Sequence, residues 1–271
     1  MEIYASRDIV TALSMKYRGD VRRMEEHVVA RKDISPTELS RLLSRAKDSC
    51  LTMFDKEYPP DLMKIAPAPM ILWYRGNLSL IRDTDACIAI VGARKAHTYA
   101  LEKAKKMAAS LAKKGITIVS GLAEGIDRAA LEGALPYGKA VAVIGNGMDY
   151  YYPAENEDLQ KAIAKNGLLL SEYPNDTNPA PLQFVARNRI IAAISTLTIV
   201  AEAKLKSGSL ITATYANSIA HDVGAFPHDS NGDDGCNSII KDGAFLIENE
   251  EDIASIMGSK GERFFAKKKA R

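Results

Sequence analysis

Ile88-Ala89-Ile90-Val91-Gly92-Ala93-Arg94 and, farther on, Ile116-Thr117-Ile118-Val119-Ser120-Gly121-Leu122-Ala123-Glu124-Gly125-Ile126-Asp127 decide the fold. Each is an unbroken apolar run that stops at small residues and glycine, the pattern of a strand covered on both faces. Between them, residues from about Thr98 to Lys114 follow an amphipathic helical spacing and end at Gly115. The same alternation continues through strands at Ala140 to Ile144, Leu168 to Leu170, Leu197 to Val200 and Val223 to Phe226, with a helix from about Ala154 to Asn166 closed by Gly167. Strands separated by helices predict an α/β domain with a parallel sheet between two helical layers.

Outside this block the pattern changes. Residues 1–80 are predicted to form an accessory, mainly helical region, with Ser35-Pro36-Thr37-Glu38 as a capping box opening a helix that runs to about Asp48. Met70 to Asn77 is apolar-rich and resembles a strand closed by a turn. The main domain is expected over 81–258, with a polar loop at His228 to Gly235 and a short helix from Cys236 to Lys241. Residues 259–271, with Arg263, Lys267, Lys268, Lys269 and Arg271 around Phe264 and Phe265, read as a basic, solvated tail, with a nucleic-acid contact as the alternative.

At 271 residues, 46% hydrophobic and 26% charged, the chain can bury a full core. Its net charge of +2 means that any affinity for a polyanion must come from a local patch. Cys50, Cys87 and Cys236 are unpaired by spacing, and no apolar run approaches a membrane span, so a reduced, cytoplasmic protein without membrane contact is expected. No histidine has metal-ligand spacing, and neither GxGxxG nor GxxxxGK[ST] occurs, which argues against a dinucleotide enzyme or a P-loop ATPase; no metal and no cofactor is expected.

In an open parallel sheet ligands bind beyond the carboxyl ends of the strands, and those ends are rich in glycine here: Gly92, Gly121, Gly125, Gly145 and Gly147. Arg94 stands two residues beyond a buried strand, where a phosphate would dock at a helix start. The later run Phe184-Val185-Ala186-Arg187-Asn188-Arg189 joins a ring to two arginines, which at a spacing of two cannot share one helix face. One is expected at the ligand edge and the other beside a carboxylate. Ser207-Gly208-Ser209 opens a further helix, where backbone amides can hold an anion. Glu124, Asp127, Glu172 and Glu202 lie near strand ends as acids, caps or ion-pair partners, but no nucleophile–base pair is legible, so no catalytic residue is assigned.

The ordered series Val91-Gly92-Ala93-Arg94, Ser120 to Asp127, Gly145 to Asp149, Tyr152-Pro153-Ala154-Glu155-Asn156, Ser171-Glu172-Tyr173-Pro174, Arg187 to Ala192, Val200-Ala201-Glu202-Ala203, Ser207 to Ala213 and Gly235 to Ile240 resembles the DprA/Smf family of DNA-processing proteins. The resemblance covers about residues 50 to 247 and implies an extended Rossmann-like, doubly wound, mostly parallel sheet. It also implies a non-enzymatic, homodimeric protein that holds single-stranded DNA and assists a RecA-type recombinase in DNA uptake or recombinational repair. By position it assigns phosphate contacts to Gly92, Arg94, Gly121, Arg187, Asn188, Arg189, Ser207, Gly208 and Ser209, and base stacking to Phe184. The chain departs from the family pattern in having Ala93 for a hydroxyl residue, Val185 for proline and Ala130-Leu131 for alanine then histidine, and the resemblance does not extend to the winged-helix-like domain of many members. Two alternatives on the same fold are a nucleotide sensor and a nucleoside-monophosphate phosphoribohydrolase, whose usual PGGxGTxxE motif is replaced by Ser207-Gly208-Ser209-Leu210.

Overall fold

The computed structural model describes residues 5–228 and 234–265. Its nine strands form one sheet: β1 (Ser49–Thr52), β2 (Ile71–Gly76), β3 (Cys87–Gly92), β4 (Thr117–Ser120), β5 (Ala140–Ile144), β6 (Leu168–Ser171), β7 (Leu197–Glu202), β8 (Asp222–Ala225) and β9 (Phe245–Leu246). Their order is β1-β2-β6-β5-β4-β3-β7-β8-β9. Pairing from β6 through β9 is parallel, and β2 joins both β1 and β6 antiparallel. The helices are α1 (Ser6–Tyr17), α2 (Val21–Val29), α3 (Pro36–Leu43), α4 (Thr98–Lys113), α5 (Ile126–Ala134), α6 (Glu157–Asn166), α7 (Pro181–Ala193), α8 (Gly208–Ser218), α9 (Gly235–Lys241) and α10 (Glu250–Phe265).

The two-residue period of a strand explains the three layers. Ile88 and Ile90 of β3 point to a core shared with α1, α3, α4, α5 and α10, while Cys87, Ala89 and Val91 point to the opposite core beneath α7, α8 and α9. Both faces are covered, as the unbroken apolar runs require, and the expected Rossmann-like α/β sheet is the observed one. No helix among the described residues is long and apolar enough to cross a membrane.

Three boundaries differ from the sequence reading. The expected break near residue 80 falls inside the sheet, because β1 and β2 extend it past β6; Trp73 of β2 is fully buried and donates from Nε1 to Ser14 Oγ at 3.1 Å, fastening α1 to the same unit. α3 starts at its Ser35 cap but stops at Leu43 rather than Asp48, since Ser44 Oγ turns back to the Arg41 carbonyl at 2.9 Å and the chain leaves to reach β1. The segment expected as a solvated tail is helical to Phe265, with a kink at Gly258, and both Phe264 and Phe265 pack on the core. Lys267, Lys268, Lys269 and Arg271, and most of the loop expected at His228 to Gly235, lie outside the described residues.

His27 gives the helical end of the molecule a pH dependence. Its ring is buried, Nδ1 lies 2.9 Å from the Tyr17 hydroxyl, and Nε2 has no hydrogen-bond partner among the described residues. Burial, reinforced by Lys16, lowers its pKa below the ordinary 6.5. The unfolded chain therefore binds the proton first: the contribution is complete above pH 6.5 and is lost as pH falls below it. Urea unfolding should show stability dropping there by up to ~1.4 kcal/mol per pH unit, with a shallower dependence in His27→Gln.

Candidate nucleic-acid interface

From β3 the chain adds β4, β5 and β6 on one side, then returns through α7 to lay β7 against the other edge of β3. Strand order reverses between β3 and β7, so the connections leaving their carboxyl ends diverge and open a crevice. The crevice is a cleft of about 510 Å³ whose lining includes Arg94, Tyr152, Phe184, Arg187, Asn188 and the Ser207–Ser209 turn.

Arg187 forms its floor. The side chain is buried, and Nη1 donates to the carbonyls of Gly121 and Val143, at the ends of β4 and β5. Burial pushes its pKa down to about 10; Asp127 opposes the fall and Arg94 adds to it. Asp127 is buried beside it, its own pKa raised by burial, and accepts from the amides of Gly121 at 3.1 Å and Ala123 at 3.4 Å. Asn188, the next residue, donates to the Gly208 carbonyl at 3.2 Å and so joins α7 to the start of α8. There Ser207 caps the helix by accepting from the Ser209 amide at 3.3 Å. The positive end of α8 thus faces the cleft.

Arg94 is different in kind. It follows β3, is exposed, and its guanidinium makes no hydrogen bond or ion pair among the described residues. It borders the main cleft, a smaller recess beside Tyr152 and Phe184, and a trough on the far side.

The aromatic wall is a pair. Phe184 stacks on Tyr152 with ring centroids 4.8 Å apart and 24° between planes. Tyr152 sits beyond the loop after β5, which Arg75 of β2 braces by donating to Asp149 at 2.8 Å while gripping Asp48 at 2.6 and 3.0 Å. Sequence reading singled out Phe184 alone. The Tyr151-Tyr152-Pro153 run, just past a glycine-rich strand end, was the available signal for its companion.

The structure does not bring Arg189 into the cleft, correcting its assignment to phosphate contact. Two residues along a helix rotate a side chain by roughly 200°, and Arg189 points away into the protein, 2% exposed. Its donors are occupied by Glu172 at 2.6 Å and by the carbonyls of Pro67 and Ala186, each at 2.8 Å. The remaining carboxylates are also placed: Glu202 accepts from the His97 amide at 2.9 Å and lies 3.1 Å from its Nδ1, while Glu124 is exposed at the rim of the recess. No group of three potential metal ligands occurs among the described residues.

The glycines divide into two kinds. A Cβ on Gly92 would lie 2.6 Å from the Ile126 side chain, and one on Gly121 would lie 2.5 Å from the Arg187 guanidinium. Both are small for internal packing. A Cβ on Gly208 would meet nothing within 4 Å, so its bareness leaves room on the cleft side at the start of α8.

Such a cleft, at the switch point of a doubly wound sheet and bordered by a free guanidinium, a helix amino end and a stacked aromatic pair, marks a Rossmann-like protein with an open crevice at the usual ligand position of that fold. The chain belongs to the DNA recombination-mediator protein A family, whose model matches residues 49–258. It is 42% identical over 205 residues to the DNA processing protein DprA of Streptococcus pneumoniae, covering 74% of this chain and 72% of that one. It is 37% identical over 244 residues to the Protein Smf of Synechocystis, covering 88% of this chain but only 61% of that protein's length. Among solved structures, DNA processing protein A from Streptococcus pneumoniae matches with a TM-score of 0.79 at 32% identity, covering 94% of this chain and 98% of that one. DNA processing protein A from Helicobacter pylori, described for its single-stranded DNA binding mode, matches with a TM-score of 0.70 at 34% identity, covering 79% and 97%.

The two glycine environments predict opposite outcomes. Gly121→Ala should lose about 1–3 kcal/mol in urea unfolding, as overpacking against Arg187 does. Gly208→Ala should leave stability within about 0.5 kcal/mol of wild type, because the new methyl meets open space.

Proposed function

We propose that this chain binds single-stranded DNA in the switch-point cleft, as a DNA-processing protein of the recombination-mediator type. Phosphates meet Arg94 and the amino end of α8, and a base stacks on the aromatic pair. The observation that carries this reading is the juxtaposition of the free Arg94 guanidinium with the Tyr152–Phe184 stack on the walls of one cleft. The names of the pneumococcal and Helicobacter relatives support the same ligand and process. Transfer of the held strand to a RecA-type recombinase, action as a homodimer in the cytoplasm, and service in transformation or repair complete the proposal. No chemical step enters it.

The stacking surface follows from the pair's geometry. One face of Phe184 is covered by Tyr152, and its ring edge is close to Gly145, where an added Cβ would come within 2.7 Å. Tyr152 is 43% exposed, so an incoming base meets the tyrosine ring first, with Phe184 as its backing. Phe184 on its own is therefore not the platform in this proposal.

Fluorescence polarisation with a labelled oligothymidylate tests the reading. Stacking contributes ~1–3 kcal/mol per base, so Tyr152→Ala should weaken binding about fivefold or more while Tyr152→Phe retains it. Arg94→Ala should weaken binding and reduce the slope of log affinity against log salt by about 0.7. Wild-type affinity in an Arg94→Ala, Tyr152→Ala double variant would sink the assignment.

A further inference from the structure

The cleft is poor in available charge for a polyanion site. Of its two lining arginines, Arg187 is buried with Nη1 engaged by two carbonyls, which leaves Arg94 as its exposed cation among the described residues. A single strand carries one negative charge per nucleotide, so a strand longer than the cleft brings phosphates that this surface leaves unmatched.

On the other side of Arg94 lies an open trough of about 1130 Å³, formed where β7 and β8 end against the start of α4. Ala93, Arg94 and Ser207 belong to the walls of both, so the two adjoin at these residues. The trough adds Lys95, Lys204 and Lys206, all exposed and none in a hydrogen bond or ion pair through its side chain among the described residues. Its carboxylates among the described residues have local work: Glu202 holds His97, and Asp234 Oδ1 accepts from the amides of Cys236 at 2.9 Å and Asn237 at 3.1 Å. Tyr99, 65% exposed, stands on the same wall, with Lys103 Nζ 6.0 Å from its ring centroid.

Resting on the reading of the cleft as a single-strand site, we propose that the same strand continues past Arg94 into this trough. There Lys95, Lys204 and Lys206 take its phosphates, and Tyr99 offers a second ring to its bases. Arg94 is then the junction between a stacking segment and an electrostatic segment. Lysines suit the second role, because a flexible point charge follows a strand without fixing its sequence.

The experiment compares oligothymidylates of ~6 and ~20 nucleotides, lengths within and beyond the site size typical of one single-strand binding module. The full chain and a Lys95→Ala, Lys204→Ala, Lys206→Ala variant are titrated by fluorescence polarisation at several salt concentrations. The variant should bind the longer oligonucleotide about tenfold more weakly, with a salt slope shallower by about 2, and hold the shorter one within about twofold. The triple lysine-to-arginine variant should restore the longer one, and Tyr99→Ala should weaken it alone. Matching melting temperatures establish that the variants are folded. An unchanged affinity and slope for the longer strand would overturn the inference while leaving the cleft intact, and so would an equal loss for both lengths. Tyr152→Ala is the control that weakens both lengths. If wild type binds neither, the cleft reading fails and this inference with it.

Discussion

A buried guanidinium organises the binding edge of this molecule. Strands that end in a parallel sheet leave carbonyls without ladder partners, and a buried charge needs acceptors on its own account. Arg187 answers both needs by reaching from α7 onto the Gly121 and Val143 carbonyls at the ends of β4 and β5. Asp127 places a compensating carboxylate beside it, held in turn by the Gly121 amide. The floor of the cleft is thus tied together through Gly121, whose carbonyl accepts from Arg187 and whose amide donates to Asp127, and these bonds hold α7 in register over the sheet. Phe184 one turn before and Asn188 one residue after inherit their positions, the first against Tyr152 and the second against the start of α8.

Arg189 secures the same helix from its other side. Its pair with Glu172, at the end of β6, and its bond to the Pro67 carbonyl tie α7 to the far part of the sheet and to the segment leading into β2. Breaking a buried pair by removing one partner leaves a stranded charge, typically at a cost of about 3–5 kcal/mol, so Arg189 serves the fold whatever the ligand. Two arginines of one short motif therefore serve separate ends: one builds the floor of the cleft and the other anchors the helix that carries it.

The parallel core was legible because its constraint is local. A strand buried on both faces must be apolar throughout, and Ile88 to Val91 or Ala140 to Ile144 say so without reference to anything distant. The junction between the helical end and the sheet was less legible. That β2 pairs with β6 is a long-range fact, and the turn after Leu43 depends on where β1 must begin. At the site, the spacing of Arg187 and Arg189 required them to diverge, yet which one lined the cleft depended on the position of Glu172. Glycines were ambiguous for the same reason. Gly121 and Gly208 look alike in sequence, but one is bare to admit an internal guanidinium and the other faces open space. The partnership of Tyr152 with Phe184 joins a loop to a helix: the Tyr151-Tyr152-Pro153 run marks an aromatic at a strand end, but not the ring it stacks on.

Net charge conceals how the binding edge is electrostatically divided. A chain of net charge +2 looks indifferent to polyanions, and the deepest arginine of the cleft adds little to the field outside, because Asp127 and its two carbonyl acceptors oppose it at short range. What reaches solvent comes from side chains with no such opponent among the described residues: Arg94 and, beyond it, Lys95, Lys204 and Lys206. Screening falls most heavily on exposed charges of this sort, whereas the stacking proposed on Tyr152 depends less on salt. In the proposed mode of binding the two halves of the edge therefore respond to different variables, one to ionic strength and one to the bases presented. A surface divided in that way can hold a strand firmly at one point while leaving the rest of its length exchangeable.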